Sequence, residues 1–115
     1  MVVSPSRDWT GHRRVTVTPG LVCSHHHLYS ALARGMPAPR PTPRSFPEIL
    51  EGVWWRLDRA LDLELVYWSA LLGAVEALEA GTTAIIDHHS SPRAVEGSLD
   101  VIAEACAQVG VRVVC

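Results

Sequence analysis

The sequence predicts an α/β fold in which short parallel strands alternate with amphipathic helices. Two segments carry the helical period of apolar residues, and each ends at a glycine, Gly81 and Gly110. Runs rich in β-branched residues lie before, between and after these segments. Apolar strands that alternate with helices pair side by side, so this order indicates a parallel sheet with right-handed crossovers.

The N-terminal region contains two strand candidates. Residues 1–14 are polar and predict little regular structure, whereas residues 15–17 alternate valine with threonine, a pattern typical of a short strand. Pro19 and Gly20 then interrupt the chain. The second candidate, residues 21–28, begins with apolar residues and carries three consecutive histidines.

A proline-rich stretch follows these strands. Residues 30–47 contain five prolines. Proline lacks a backbone N–H and clashes with the preceding turn, so no regular helix can run through this stretch. We expect a long loop and then a short helix at residues 47–61. Loops of this length within compact domains are usually functional or disordered.

Residues 63–80 form the clearest predicted helix. Asp62 is expected to cap its N-terminus, and Gly81 has the position of the glycine that usually follows a C-terminus. Apolar residues recur within it at three- and four-residue steps and therefore share one face. The residues of this predicted apolar face are Leu65, Trp68, Leu72, Val75 and Leu78.

A buried strand and a second helix come next. The β-branched, apolar run at residues 82–87 predicts the strand. Ser91 and Pro92 predict the cap and first position of the helix, Gly110 its end, and residues 111–114 a further strand. The predicted apolar face of this helix consists of Val95, Leu99, Ile102, Cys106 and Val109.

Composition argues against several classes of function. The 115-residue chain has a formal net charge of −2, and its ten basic residues, all arginine, are scattered, which argues against binding to nucleic acid. No stretch reaches the roughly 18 unbroken apolar residues of a membrane span. Three cysteines without framework spacing favour a reduced, cytoplasmic compartment. No glycine-rich phosphate loop follows a strand, which disfavours a small βαβαβ ligand-binding module.

The three histidines after the second strand candidate predict a metal site. Side chains alternate along a strand, so His25 and His27 share one face, about 7 Å apart at the backbone, and His26 points to the other. Imidazole nitrogens bind zinc at roughly 2.0–2.1 Å, and these two rings can converge on one ion. On its own, such a cluster is more often a polar strand end. Its place at the carboxyl end of a parallel strand favours the metal site.

Two further groups of polar residues are candidates for contact with a substrate. Asp87, His88 and His89 end the next strand, with Asp87 and His89 on one face. They either line the same edge of the sheet or form a polar strand end in which Asp87 caps a loop. Tyr29 and Arg34 open the long loop. Arg34 can hold a carboxylate, stack on a heterocycle or form a salt bridge.

Three segments together resemble the amidohydrolase superfamily: PGLVCSHHHLYSALARGM at residues 19–36, WWRLDRALDLELVYWSALLGAVEAL at 54–78 and LEAGTTAIIDHHSSP at 78–92. The last two resemble its deaminase and chlorohydrolase branch. The His-His-His and Asp-His-His strand ends are similar to those of the group of aminohydrolases associated with selenium metabolism.

The resemblance implies the N-terminal fragment of a (β/α)8 TIM-type barrel. Residues 19–115 would supply its first three strands and two crossover helices, and residues 1–18 a remnant of a flanking β-sandwich. His25 and His27 would bind a divalent metal ion, zinc or alternatively iron. The ion would activate water for attack on a carbon that bears an amino or halide group. The implied function is a hydrolase acting on carbon–nitrogen bonds other than peptide bonds.

The resemblance also implies the partners of the site. The substrate would be a small nitrogen heterocycle or amine contacted by Tyr29, Arg34 and His89, with no nucleic acid or membrane involved. The other metal ligands and the catalytic acid–base group would lie downstream, in a full-length form that is a homo-oligomer. Because catalytic zinc usually has three protein ligands plus water, the alternative is a truncated product without activity of its own.

Overall fold

The computed structural model describes residues 2–7 and 13–115, with side-chain environments from residue 15 onward. Strands β1 (Val2–Arg7) and β2 (Arg13–Thr18) form an antiparallel pair. The short strand predicted at residues 15–17 is therefore confirmed and extended. The prediction of little structure in residues 1–14 was wrong, because β1 pairs with β2 along its whole length. Pairing with a neighbour stabilises a polar strand in a way that local composition does not reveal.

The second sheet is parallel and has the order β3 (Leu21–His26), β4 (Thr82–Asp87) and β5 (Arg112–Val114). This confirms the predicted α/β class and parallel pairing. The regular register of β3 against β4 is interrupted between Cys23 and His26. The strand therefore ends irregularly within its run of histidines.

The segment between β3 and the first long helix is partly helical. A 3₁₀ helix spans Leu28–Ala33 and was not predicted. Residues 34–45 form the expected proline-rich loop. The predicted short helix follows as α1 (Phe46–Ile49), a π-helical turn (Leu50–Trp54) and α2 (Trp55–Ala60).

Helix α3 (Leu63–Glu79) has the predicted boundaries and caps. Asp62 Oδ1 accepts a hydrogen bond from Leu65 N at 2.8 Å, and Gly81 has the left-handed φ of +84° that favours glycine. The predicted apolar face, however, is not the buried one: Trp68 is 51% exposed. The buried residues of α3 are mostly small, namely Val66, Ser69, Ala70, Gly73 and Ala74.

Close packing against the 3₁₀ helix explains this choice of face. A Cβ atom added to Gly73 would lie 2.8 Å from Leu28 Cδ2, so a larger residue there would require the Leu28 side chain to shift. Ser69 Oγ donates a hydrogen bond to Leu28 O at 2.8 Å and accepts one from Leu32 N at 3.2 Å. The small residues let the two backbones approach, and the larger residues of α3 remain outside.

Helix α4 (Ser98–Val109) begins later than predicted. The expected cap at Ser91 was wrong, because Ser91 Oγ donates to Ala94 O at 3.0 Å and closes a separate turn. The helix begins instead after Gly97, at φ +81°, and it ends as predicted at Gly110, at φ +91°.

The predicted apolar face of α4 is buried only in part. Ile102 and Cys106 are fully buried, whereas Leu99 is 47% exposed, and Val95, which precedes the helix, is 73% exposed. Within the described part of the chain, no helix is long and apolar enough to cross a membrane. The core packs α3 and α4 together with the sheet; its buried apolar residues are Leu28, Tyr29, Leu61, Val66, Ala70, Ala74, Ile85, Ile102, Ala105, Cys106 and Val111.

Candidate functional site

The candidate site lies at the carboxyl ends of β3 and β4, which are neighbours in the sheet. His26 is in register with Asp87, and His88 N donates a hydrogen bond to His26 O at 2.8 Å, which extends the pairing by one residue. The two polar strand ends of the sequence therefore meet at one edge, as parallel pairing requires.

The rings of His25 and His27 converge at this edge, as their alternation predicts. Their Nε2 atoms are 3.2 Å apart. Two nitrogens that each bind a tetrahedral ion at 2.0–2.1 Å are separated by about 3.4 Å. In the metal-free protein the two Nε2 atoms are at hydrogen-bond distance, with His27 Nε2 as the acceptor, and this separation is also close to that of two ligands of one ion.

A second contact determines which nitrogen of His27 carries the proton. His27 Nδ1 is 2.7 Å from the backbone oxygen of His88. A carbonyl oxygen can only accept, so Nδ1 donates, and the neutral ring presents an unprotonated Nε2. Metal-binding histidines are usually oriented by such a bond from their other nitrogen. His27 is thus prepared for a cation at Nε2.

The ring of His88 lies beside this pair, with its centroid 4.4 Å from that of His25. Across the described ranges, no three or more His, Cys, Asp or Glu side chains are grouped to hold a metal ion. The described residues alone therefore do not form a complete metal site, and His25 and His27 are two candidate ligands within it.

His26 points away from the pair, as predicted. A Cβ atom added to Gly73 of α3 would lie 3.8 Å from His26 Cε1, so the ring packs against that helix. His26 also lines a cavity of about 550 Å³ together with Arg34 and Glu76. The middle histidine of the three therefore belongs to the helix side of the sheet.

Arg34 forms the salt bridge that was one of its predicted alternatives. Its two terminal nitrogens lie 2.6 and 2.7 Å from the two carboxylate oxygens of Glu76, and its side chain is 69% exposed. This hydrogen-bonded pairing raises the pKa of Arg34 and lowers the pKa of Glu76. The guanidinium already has a carboxylate partner, and its predicted contact with substrate stays a prediction.

Tyr29 and His89 are brought together beside His27. The rings of Tyr29 and His89 are 5.4 Å apart and nearly perpendicular, and the ring of Tyr29 is 5.8 Å from that of His27. Burial, reinforced by the carboxylate of Asp58, raises the pKa of Tyr29 to about 12. Tyr29 therefore remains a neutral phenol that can donate a hydrogen bond.

Asp58 is a site residue that the sequence analysis missed. It is 8% exposed, Ser90 Oγ donates to its Oδ2 at 3.2 Å, and no described residue is bonded to its Oδ1. With His27, Tyr29 and Trp54 it lines a cavity of about 350 Å³. The available signal was its position in the chain: Asp58 is four residues after Trp54, one helical turn further along the same helical segment.

Burial lowers the pKa of His89, whose Nε2 is 2.6 Å from Ser91 Oγ. The unfolded chain, in which this pKa is near the ordinary 6.5, therefore binds more protons below that pH than the folded chain does. We expect the free energy of unfolding to decrease as the pH falls below about 6.5, and His89→Gln to flatten this decrease. Urea unfolding at a series of pH values measures the free energy of unfolding of both proteins.

The matched control for this experiment is His88→Gln, at the neighbouring exposed residue. It should leave the pH dependence of stability close to that of the unmodified protein. A dependence that is unchanged in His89→Gln, or flattened equally by both substitutions, would contradict the role given to His89.

Comparison with models of protein families assigns the chain to a family. The model described as "Amidohydrolase family" matches residues 16–115, so the chain belongs to the amidohydrolase family. Binding of a divalent metal ion is general in this family. The resemblance seen in the sequence is thereby confirmed.

The proteins that this chain resembles in sequence include deaminases of this family. The chain is 36% identical over 98 residues to a 5'-deoxyadenosine deaminase of Methanopyrus kandleri, covering 85% of this chain and 20% of that protein. It is 31% identical over 96 residues to a 5-methylthioadenosine/S-adenosylhomocysteine deaminase of Pyrococcus furiosus, covering 84% and 20%. The chain thus spans about a fifth of the length of these relatives. No solved structure matches it significantly.

Proposed function

We propose that this chain forms the first part of a metal-dependent hydrolase that acts on carbon–nitrogen bonds other than peptide bonds, of the deaminase type. The observation that carries the proposal is the 3.2 Å distance between the Nε2 atoms of His25 and His27, with Nδ1 of His27 held by the backbone oxygen of His88. This geometry prepares two ligands for one ion.

The proposal includes the architecture that the resemblance implies. Residues 19–115 would be the N-terminal part of a (β/α)8 barrel, and residues 1–18 a remnant of a flanking β-sandwich. The parallel order β3–β4–β5, with α3 and α4 between successive strands, supports the first assignment. The separate antiparallel pair of β1 and β2 supports the second. Active sites of such barrels lie at the carboxyl ends of the strands, where the histidines are found.

In the proposed site, His25 and His27 hold a divalent ion, zinc in the first place and iron as the alternative, since imidazole suits both. When bound, such an ion lowers the pKa of water towards neutrality. The backbone oxygen of His88 keeps the proton on Nδ1 of His27, so that Nε2 stays available at the pH where the ring is neutral.

The cavity beside His27 supports a small nitrogen heterocycle as substrate. Trp54 offers an aromatic face to a planar ring, and the hydroxyl of Tyr29, whose proton faces the carboxylate of Asp58, can accept from an amino or hydroxyl group. Oδ1 of Asp58 can accept from an amino or hydroxyl group. Relatives named for the deamination of 5'-deoxyadenosine and methylthioadenosine favour an amino-substituted purine nucleoside over a halide substrate. His89, whose ring is 5.4 Å from that of Tyr29, is the further proposed contact with the substrate. The proposed contact of Arg34 with the substrate would require its guanidinium to exchange or share its partner Glu76.

The activity is tested on the longest protein that the reading frame encodes, loaded with zinc. We expect ammonia release from 5'-deoxyadenosine or methylthioadenosine, and a fall to background when a chelator removes the ion. The matched control substrates are the corresponding inosine nucleosides, which lack the amino group. Stoichiometric zinc without ammonia release from either nucleoside would contradict the deaminase assignment, and failure to bind either zinc or iron would contradict the whole proposal.

A further inference from the structure

We propose that Asp87 is a positioning residue for the metal-binding pair, acting on His27 through the backbone of Leu28. This inference rests on the proposed function, because it assumes that His25 and His27 bind an ion. Asp87 is the last residue of β4 and lies opposite His26 in the sheet register.

The carboxylate of Asp87 holds the first N–H group after His27. Its Oδ1 accepts a hydrogen bond from Leu28 N at 2.7 Å. Leu28 begins the 3₁₀ helix, whose first N–H groups have no partner within the helix, and His27 itself provides no side-chain cap. Asp87 therefore supplies, from the neighbouring strand, the cap that the local sequence lacks.

Three consecutive residues at the end of β3 are tied to the end of β4. His26 O accepts from His88 N at 2.8 Å, and His27 Nδ1 donates to His88 O at 2.7 Å. Leu28 N then donates to Asp87 at 2.7 Å. The backbone on both sides of His27 and the ring of His27 are thus all held by Asp87 and His88. A shift of Leu28 would move Nδ1 away from its carbonyl and Nε2 away from His25.

The burial of the Asp87 carboxylate destabilises the fold, so its presence calls for a reason other than stability. The residue is 5% exposed, and among the described residues its Oδ2 has no hydrogen-bond partner. A buried carboxylate with one hydrogen bond stabilises a fold poorly compared with an apolar residue. Its single bond goes to the residue next to His27, which indicates a role in the geometry of that histidine.

The test compares Asp87→Ala and Asp87→Asn with the unmodified protein. Zinc affinity is measured by competition with a chromophoric chelator, and the tautomer of His27 in the metal-free protein by ¹⁵N NMR. We expect Asp87→Ala to weaken zinc binding about 10–100-fold, the usual effect of losing a group that orients a ligand. It should also abolish the preference for a proton on Nδ1. Asp87→Asn keeps an acceptor oxygen of the same reach, so it should preserve the tautomer and most of the affinity.

Asp62→Ala is the matched control. Asp62 also accepts a backbone N–H, that of Leu65 at 2.8 Å, but at the start of α3. Its removal should lower the thermal stability and leave both zinc affinity and the tautomer of His27 unchanged. If Asp87→Ala does not melt cooperatively, Asp87→Leu replaces it, because leucine fills the buried volume without an acceptor.

Unchanged affinity and tautomer without the carboxylate would overturn the inference, and so would an equal loss in the Asn and Ala variants. These failures are separable from failure of the proposed function. If His25→Ala and His27→Ala abolish zinc binding while Asp87→Ala does not, only the role of Asp87 is wrong. If the histidine variants bind zinc as the unmodified protein does, the metal site itself is wrong.

Discussion

Replacing His27 with alanine should weaken zinc binding by more than about 100-fold, because loss of a group that merely orients a ligand already costs about 10–100-fold. His25→Ala should have an effect of the same order, since its Nε2 lies 3.2 Å from that of His27 and would share the ion. Competition with a chromophoric chelator measures both affinities, with stoichiometry determined on the metal-loaded protein.

The middle histidine is the matched control for this pair. His26 has the same side chain in the same strand end, but its ring packs against α3 at Gly73. His26→Ala should therefore leave zinc affinity near that of the unmodified protein. Equal losses at His25, His26 and His27 would indicate nonspecific binding to a histidine-rich strand end and contradict the proposed site.

Replacing Ile102 with alanine should lower the free energy of unfolding by about 2–5 kcal/mol. Ile102 is fully buried in the core between α4 and its neighbours. The substitution removes apolar surface from the interior and leaves a cavity that the surrounding side chains fill only in part. Urea unfolding followed by circular dichroism measures the change.

Leu99→Ala, three residues earlier in α4, is the control for this prediction. The spacing of Leu99 and Ile102 predicts one shared apolar face, but Leu99 is 47% exposed. Its truncation should cost no more than about 0.5 kcal/mol, the usual range for surface positions. Comparable losses for the two substitutions would show that both residues are buried and that the arrangement of α4 is incorrect.

Local chemistry accounts for the elements that were predicted correctly. The cap at Asp62 and the glycines at Gly81 and Gly110 set the ends of helices, because they satisfy backbone groups within a few residues of the same segment. The β-branched run of β4 indicates its strand for an equally local reason. The prediction for β1 was wrong, because this strand is stabilised by pairing with β2 and not by its own residues.

The residues of the candidate site also fall into two groups, those predicted from local sequence and those that depend on tertiary packing. The alternation of side chains along β3 was enough to predict that His25 and His27 converge and that His26 does not. Asp58 was missed, because its carboxylate reaches the site only when α2 packs beside Tyr29. No pattern in the sequence connects residue 58 with residue 90, whose hydroxyl donates to its carboxylate.

The sequence by itself determined the α/β order of this protein, the ends of α3 and the convergence of His25 and His27 at the end of β3. Each of these depends on residues that are neighbours in the chain. Tertiary structure alone decided which face of α3 is buried, because the 3₁₀ helix packs closely against its small residues, with Leu28 against Gly73. It also decided that Asp87 and His88 hold His27, since hydrogen bonds between strand ends arise only when β3 and β4 pair.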